Sequence, residues 1–219
     1  MTEQRVPQTD RLVWIGLGLT GALLLLALLL GTLKFRAALG KPLPVYGQVA
    51  DFALTNQFGK RLSLADLSGH VWVADVIFTR CAGPCLTMSR QMRELQNALP
   101  PNSRARLITL TTDPEFDTPS VLKAYAKRFS ADPNHWLFLT GTKKQMENVA
   151  VGSLKLTALE KKPEERQTPE DLFIHSTLFV VVDKHAQLRG IFEMTGEGIE
   201  PAKVRTQLLA AVRRLDHER

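Results

Sequence analysis

A three-layer α/β sandwich carried behind one membrane-spanning helix is the fold class predicted by this 219-residue sequence. Three observations predict it. Leu12 to Leu33 runs 22 residues without a charge. Strand and helix patterns then alternate from about residue 49 onward, closing with an antiparallel strand pair and a helix. The β-branched run Val71 to Phe78 leads into a Cys-x-x-x-Cys that opens an amphipathic stretch with Met88, Met92, Leu95 and Leu99 on one face.

In chain order, residues 1–11 are a short polar tail, 12–33 an anchor, 34–48 a linker and 49–219 one domain. At 1.5 Å per residue the apolar run spans about 33 Å, enough to cross a hydrocarbon core and longer than a signal peptide's apolar region of about 7–15 residues. Arg5 and Arg11 precede it while Lys34, Arg36 and Lys41 follow, so charge alone does not orient it. Lys41-Pro-Leu-Pro-Val-Tyr-Gly47 reads as a stiff linker. Val49 to Thr55 and Arg61 to Leu64 flank Asn56-Gln-Phe-Gly59 as a hairpin, and Asp66 to Gly69 turns into the central strand. Arg106 to Thr111 is a strand, and Asp117-Thr-Pro119 starts a helix running to about Phe129. Trp136 to Leu139 is a short strand and Lys143 to Ala150 a helix, followed by a charged excursion without period from Lys155 to Asp171. Leu178 to Val182 and Leu188 to Phe192 pair antiparallel around Asp183-Lys-His-Ala186, and Ala202 to Leu215 closes the chain as a helix.

The formal charge of +6 drops to +3 once residues 1–44, with five Lys/Arg against two Asp/Glu, are set aside. That is an ordinary solvated surface, with nothing to suggest nucleic acid. Two cysteines are too few for a disulfide-stapled scaffold. A bridge across so short a loop contributes only about 2 kcal/mol on the chain-entropy model. The pair is there for chemistry. If the turn is already helical, Cys81 and Cys85 lie on one face, one turn apart, able to converge on a soft ion or on each other. A helix N-terminus at this point is expected to lower a thiol pKa. The Pro-x-x-x-Thr-x-x-Cys pattern of a peroxidase fails, since Ala74 and Phe78 occupy its proline and threonine positions.

The order of strand, cysteine pair, further β-α units and final hairpin resembles the thioredoxin fold, with Asp75 six residues before the first cysteine. Four pieces are similar to the Sco/SenC family of copper-binding cytochrome oxidase assembly proteins. They are Asp75-Val-Ile-Phe-Thr-Arg-Cys-Ala-Gly-Pro-Cys85, Thr112-Asp-Pro-Glu-Phe-Asp-Thr-Pro119, Trp136-Leu-Phe-Leu-Thr-Gly141 and His175-Ser-Thr-Leu-Phe-Val-Val-Val-Asp183. Ala82 and Leu86 depart from the family, many of whose members have proline after each cysteine. The resemblance implies a thioredoxin-like domain over roughly Val49 to Leu215 and a copper ion held by Cys81, Cys85 and His175. It also implies a client in the copper-binding subunit of a respiratory cytochrome oxidase, and a domain on the outer side of a bacterial inner membrane. The reading is a metallochaperone rather than an enzyme; the alternative is a thiol-disulfide oxidoreductase working through Cys81 and Cys85 without His175. His70, His135, His185 and His217 are expected at the surface or satisfied locally, Met88 and Met92 in the core, and Asp113 and Asp117 as turn and cap residues. Asp75 is open between a proton-transfer group and a hydrogen-bonded buried acid.

Overall fold

The computed structural model describes residues 8–39, 42–81, 83–166 and 172–218, with backbone alone at 8–12, 33–39, 158, 163 and 175. Residues 1–7 of the tail, Lys41 and Ala82 lie outside the described residues. The chain divides into two compact units, Met1–Pro42 and Leu43–Arg219.

The first unit is helix α1, Gln8–Leu39, whose stretch Val13–Thr32 is long and apolar enough to cross a membrane. Within that stretch the hydroxyls are satisfied by the helix itself: Thr20 donates to the Gly16 and Leu17 carbonyls, and Thr32 to that of Leu29. The helix continues through residues expected to be linker, up to Leu39.

The second unit is a mixed sheet between two helical layers. Its strands are β1 (Gly47–Gln48), β2 (Ala53–Asn56), β3 (Arg61–Ser63), β4 (Trp72–Ile77), β5 (Arg106–Thr111), β6 (Trp136–Thr140), β9 (Leu178–Val182) and β10 (Gln187–Glu193), with β7 (Ala158–Glu160) and β8 (Phe173–His175) forming a separate two-stranded ribbon. The spatial order is β1-β10-β9-β4-β5-β6-β2-β3. β4, β5 and β6 run parallel, and β9 joins β4 antiparallel. The helices are α2 (Pro84–Ala98), α3 (Pro119–Arg128), α4 (Lys143–Glu147) and α5 (Pro201–His217).

Alternation along β4 sorts the core into two layers. Val71, Val73 and Ile77 join Met88, Met92, Leu95, Leu208 and Val212 on one side; Trp72, Ala74 and Val76 join Met146, Val149, Leu154 and Val182 on the other. Both faces of β4 are sealed, which is why its sequence reads as a continuous apolar run.

Three expectations change. Residues 64–67 form a 3-10 turn, held by Asp66, which accepts from the Ser63 backbone N–H and hydroxyl. The helix beginning at Lys143 widens at Asn148–Ser153 into a π-helical turn, in which the Leu154 N–H reaches the Val149 carbonyl. The charged excursion is not structureless: it holds β7 and supplies one strand of the ribbon.

Candidate metal centre

Strand β4 ends at Ile77, and a tight turn over residues 78–81 follows, closed by the Cys81 N–H to the Phe78 carbonyl at 3.2 Å. Gly83 (φ −122°, ψ −105°) is non-helical and precedes Pro84, the first residue of α2. Cys81 therefore sits on the turn and Cys85 in the first turn of the helix. The condition for two cysteines on one helical face, a turn already helical at Cys81, is not met: helical geometry starts only after Gly83. The pair is nonetheless brought together. Neither cysteine is bridged, their side chains are hydrogen-bonded to each other, and the Phe78 N–H points at Cys85 Sγ at 3.5 Å.

Electrostatics run against the expected helix effect. Burial pushes the Cys85 thiol far up, Cys81 and the charge of Asp75 push the same way, and the Phe78 N–H opposes them. Cys85 is fully buried in the layer that holds Phe78, Met88 and Met92. Desolvation of a thiolate there outweighs the favourable field at the start of α2. Met88 and Met92 are core residues, as expected.

Beneath the pair lies a chain of polar groups. Asp75 Oδ1 accepts from Thr109 Oγ1 at 2.7 Å, and Thr109 Oγ1 accepts the Trp136 indole N–H at 2.9 Å. Asp75 is buried and hydrogen-bonded through Oδ1, and its charge reaches Cys85. The Tyr125 hydroxyl meets Ser89 Oγ at 2.9 Å; burial pushes its pKa up, the Ser89 bond opposes this, and the charges of Cys85 and Asp75 add to the rise.

The turn is gripped from the loop that follows β5. Arg80 pairs with Asp113 at 2.5 Å and lies over the Phe116 ring at 4.2 Å. Asp117 is not the helix cap expected of it. Thr118 caps α3, accepting from the Val121 N–H at 3.4 Å. Asp117 is fully buried and accepts from the Thr79 N–H at 3.1 Å, from Thr111 Oγ1 at 2.5 Å and from the Thr79 hydroxyl. Burial raises its carboxyl pKa, with the Thr111 and Thr79 bonds opposing.

His175 ends β8, its backbone in register with Ala158; its side chain lies outside the described residues. Two residues earlier in the same strand, the Phe173 ring stands 5.1 Å from the Phe78 ring, tilted by 59°. The ribbon thus meets the body of the domain at the first residue of the cysteine turn. The remaining histidines are engaged or peripheral: His70 Nδ1 bonds the Arg104 carbonyl at 2.9 Å, His135 pairs with Asp132 at 2.8 Å, His185 lies in the turn between β9 and β10, and His217 ends α5. The role of Asp117 was missed in the sequence, where its one signal is the threonine on either side of each loop.

The model of the SCO1/SenC family matches residues 44–210. A SCO1 protein homolog of Bacillus subtilis (strain 168) is 40% identical over 141 residues, 64% of this chain and 70% of that protein. The solved structure of BsSco, a member of the Sco family of cytochrome c oxidase assembly proteins in which a disulfide switch was identified, superposes with a TM-score of 0.67 at 32% identity, covering 82% of this chain and 99% of that one. Bradyrhizobium japonicum ScoI, solved with copper bound, covers 75% of this chain and 99% of its own at a TM-score of 0.61; at 23% identity it attests the fold.

Proposed function

The chain belongs to the SCO1/SenC family, and from that premise we propose that it is a membrane-anchored copper-binding protein. It delivers copper to, or prepares the thiols of, a respiratory cytochrome oxidase during assembly. Cys81, Cys85 and His175 are the ligands, α1 is the anchor, and the domain faces the outer side of a bacterial inner membrane. The client is the copper-binding subunit of the oxidase.

The observation that carries this reading is the Phe78–Phe173 contact, which ties the strand ending in His175 to the turn bearing the cysteines. Strand alternation carries positions 173 and 175 to one face of the ribbon. The donor chemistry fits the cargo: two sulfurs already in contact suit a soft ion such as Cu(I), and an imidazole suits either copper state. Since Cys85 is held as a thiol, loading copper must release its proton, and the metal competes for sulfur with both the proton and the other cysteine. Redox state is then the switch, because a Cys81–Cys85 disulfide has no thiolate to offer. This parallels the disulfide switch of BsSco.

Chelator competition on the purified chain tests the ligand set. Cys81→Ser and Cys85→Ser are each expected to lose Cu(I) affinity by at least a hundredfold, and His175→Ala by about tenfold or more. Parent-like affinity in all three variants refutes the assignment. If His175→Ala keeps full disulfide-reducing activity while copper binding is lost from a chain that bound it weakly at the start, the thiol-disulfide oxidoreductase reading takes over.

A further inference from the structure

We propose that Asp117 is the positioning residue of the cysteine pair: its buried carboxylate fixes the 78–81 turn and so sets the balance between dithiol and disulfide. The inference rests on Cys81 and Cys85 being the working pair. It concerns what holds one of them in place.

Asp117 spends none of its hydrogen bonding on its own helix, whose N-terminus is capped by Thr118. Instead, it accepts both the N–H and the hydroxyl of Thr79, and the hydroxyl of Thr111. A carboxylate with no exposed surface is costly to bury, and these bonds offset that cost only while Thr79 stays where it is. Thr79 is the second residue of the turn that ends at Cys81, so both its backbone and its rotamer are pinned. Thr111 is the last residue of β5, in parallel register with Ile77, and the Thr112 N–H bonds the Ile77 carbonyl at 2.8 Å. The clamp therefore ties the turn to the end of the central sheet.

The two cysteines are not equally able to move. Both are buried, but Cys85 belongs to α2 and is fully enclosed, whereas Cys81, 8% exposed, ends the 78–81 turn with its N–H bonded to Phe78. A disulfide needs the sulfurs at about 2.05 Å, much closer than two thiols in hydrogen-bonding contact. The approach falls to Cys81, and the clamp on Thr79 resists it. Since the clamp is made in the dithiol form, releasing it favours the disulfide.

The full-length chain, in detergent and without copper, is equilibrated with the dithiothreitol couple. Both protein thiols become a disulfide as cyclic oxidised dithiothreitol takes up their two electrons and two protons and opens to the dithiol. Alkylation and intact mass read the two forms. Asp117→Asn and Thr79→Val are each expected to shift the equilibrium at least tenfold toward the disulfide, about 30 mV for a two-electron couple. The double variant should go no further than the larger single, since both break one clamp. Thr118→Ala, which removes only the helix cap, should leave the equilibrium within threefold of the parent. Single variants within threefold of the parent, or a double variant that sums the singles, overturn the proposal. Should Asp117→Asn fail to fold, Thr79→Val reads the same clamp from its half-exposed end. A parent that binds no Cu(I) would sink the proposed function and leave this result standing.

Discussion

The cysteine turn and the β7–β8 ribbon supply the two halves of one proposed site, and they are built in opposite ways. The turn extends β4, a central strand of the large sheet, and is gripped through Thr79 by Asp117 and through Arg80 by Asp113. Among the described residues the ribbon's two strands pair with each other over three residues a strand, and show Leu159 and Ile174, 58% and 50% exposed, at opposing positions. Its ties to the body among the described residues include the Phe173 ring and the ion pair from Glu160 to Lys143. So short a ribbon has little stability of its own. The lesson is a division of labour: the cysteine turn is tied into the end of the central sheet, and the strand that ends at His175, the proposed ligand, rides on an element that can leave and return at little cost.

That contrast breaks most readily at the ring pair. Phe78 is 2% exposed inside the larger core, so Phe78→Ala is expected to destabilise the domain by about 3–5 kcal/mol. Phe173 is only half-buried against the same core, and Phe173→Ala should cost less than about half of that. Its larger effect should be a Cu(I) affinity about tenfold lower, since the ribbon loses its seat. Urea midpoints and chelator competition on both variants check this. Equal loss of stability from the two would mean that the ribbon is part of the core and not an arm upon it.

The same division governs what could be read from sequence. β5 and β9 were legible to the residue and β4 within one, because strands sealed on both faces print continuous apolar runs. The cysteine pair and the helix behind it were legible too, from the spacing of Met88, Met92 and Leu95. The ribbon was not. Its strands flank a Lys- and Glu-rich stretch, and with Leu159 and Ile174 facing water there is no burial to impose a period. Asp117 reads as a cap because it precedes Thr-Pro, and its real partner, Thr79, is 38 residues away in sequence. The rise in the Cys85 pKa was hidden for a related reason: a local helix start is visible in sequence, whereas the completeness of burial belongs to the whole fold.

A second expected effect belongs to the rigid half alone. The folded chain holds Cys85 as a thiol well above its ordinary value of 9.0, while the unfolded chain ionises there. Above that pH the unfolded state binds fewer protons than the native one, so stability falls as pH rises, by at most about 1.4 kcal/mol per pH unit for this group. Tyr125, also pushed up from 10.0, adds to the fall about one unit higher. Below pH 9 the stabilisation from the neutral thiol is fully present. Urea midpoints from pH 7 to pH 10.5 should show the decline, and Cys85→Ala should remove its first part. A flat profile in the parent would place Cys85 in contact with water and undo the argument for a sealed frame.

The smallest effect is expected at the ribbon's outer tie. Glu160 pairs with Lys143 and stands 3.7 Å from Arg166, with side chains of the first pair 45% and 63% exposed. The pairing lowers the Glu160 pKa and raises that of Lys143. At this exposure solvent screens most of the attraction, leaving below about 0.5 kcal/mol. Lys143→Ala should therefore leave the urea midpoint where it is, and raising the salt from 0.05 to about 0.5 M should act on the parent in the same way. What should change is local: amide exchange in β7 and β8 should speed up about twofold while β4 and β5 stay as they were. Faster exchange spreading into β4 would show that the ribbon's hold reaches the cysteine frame, and that the two halves open as one unit.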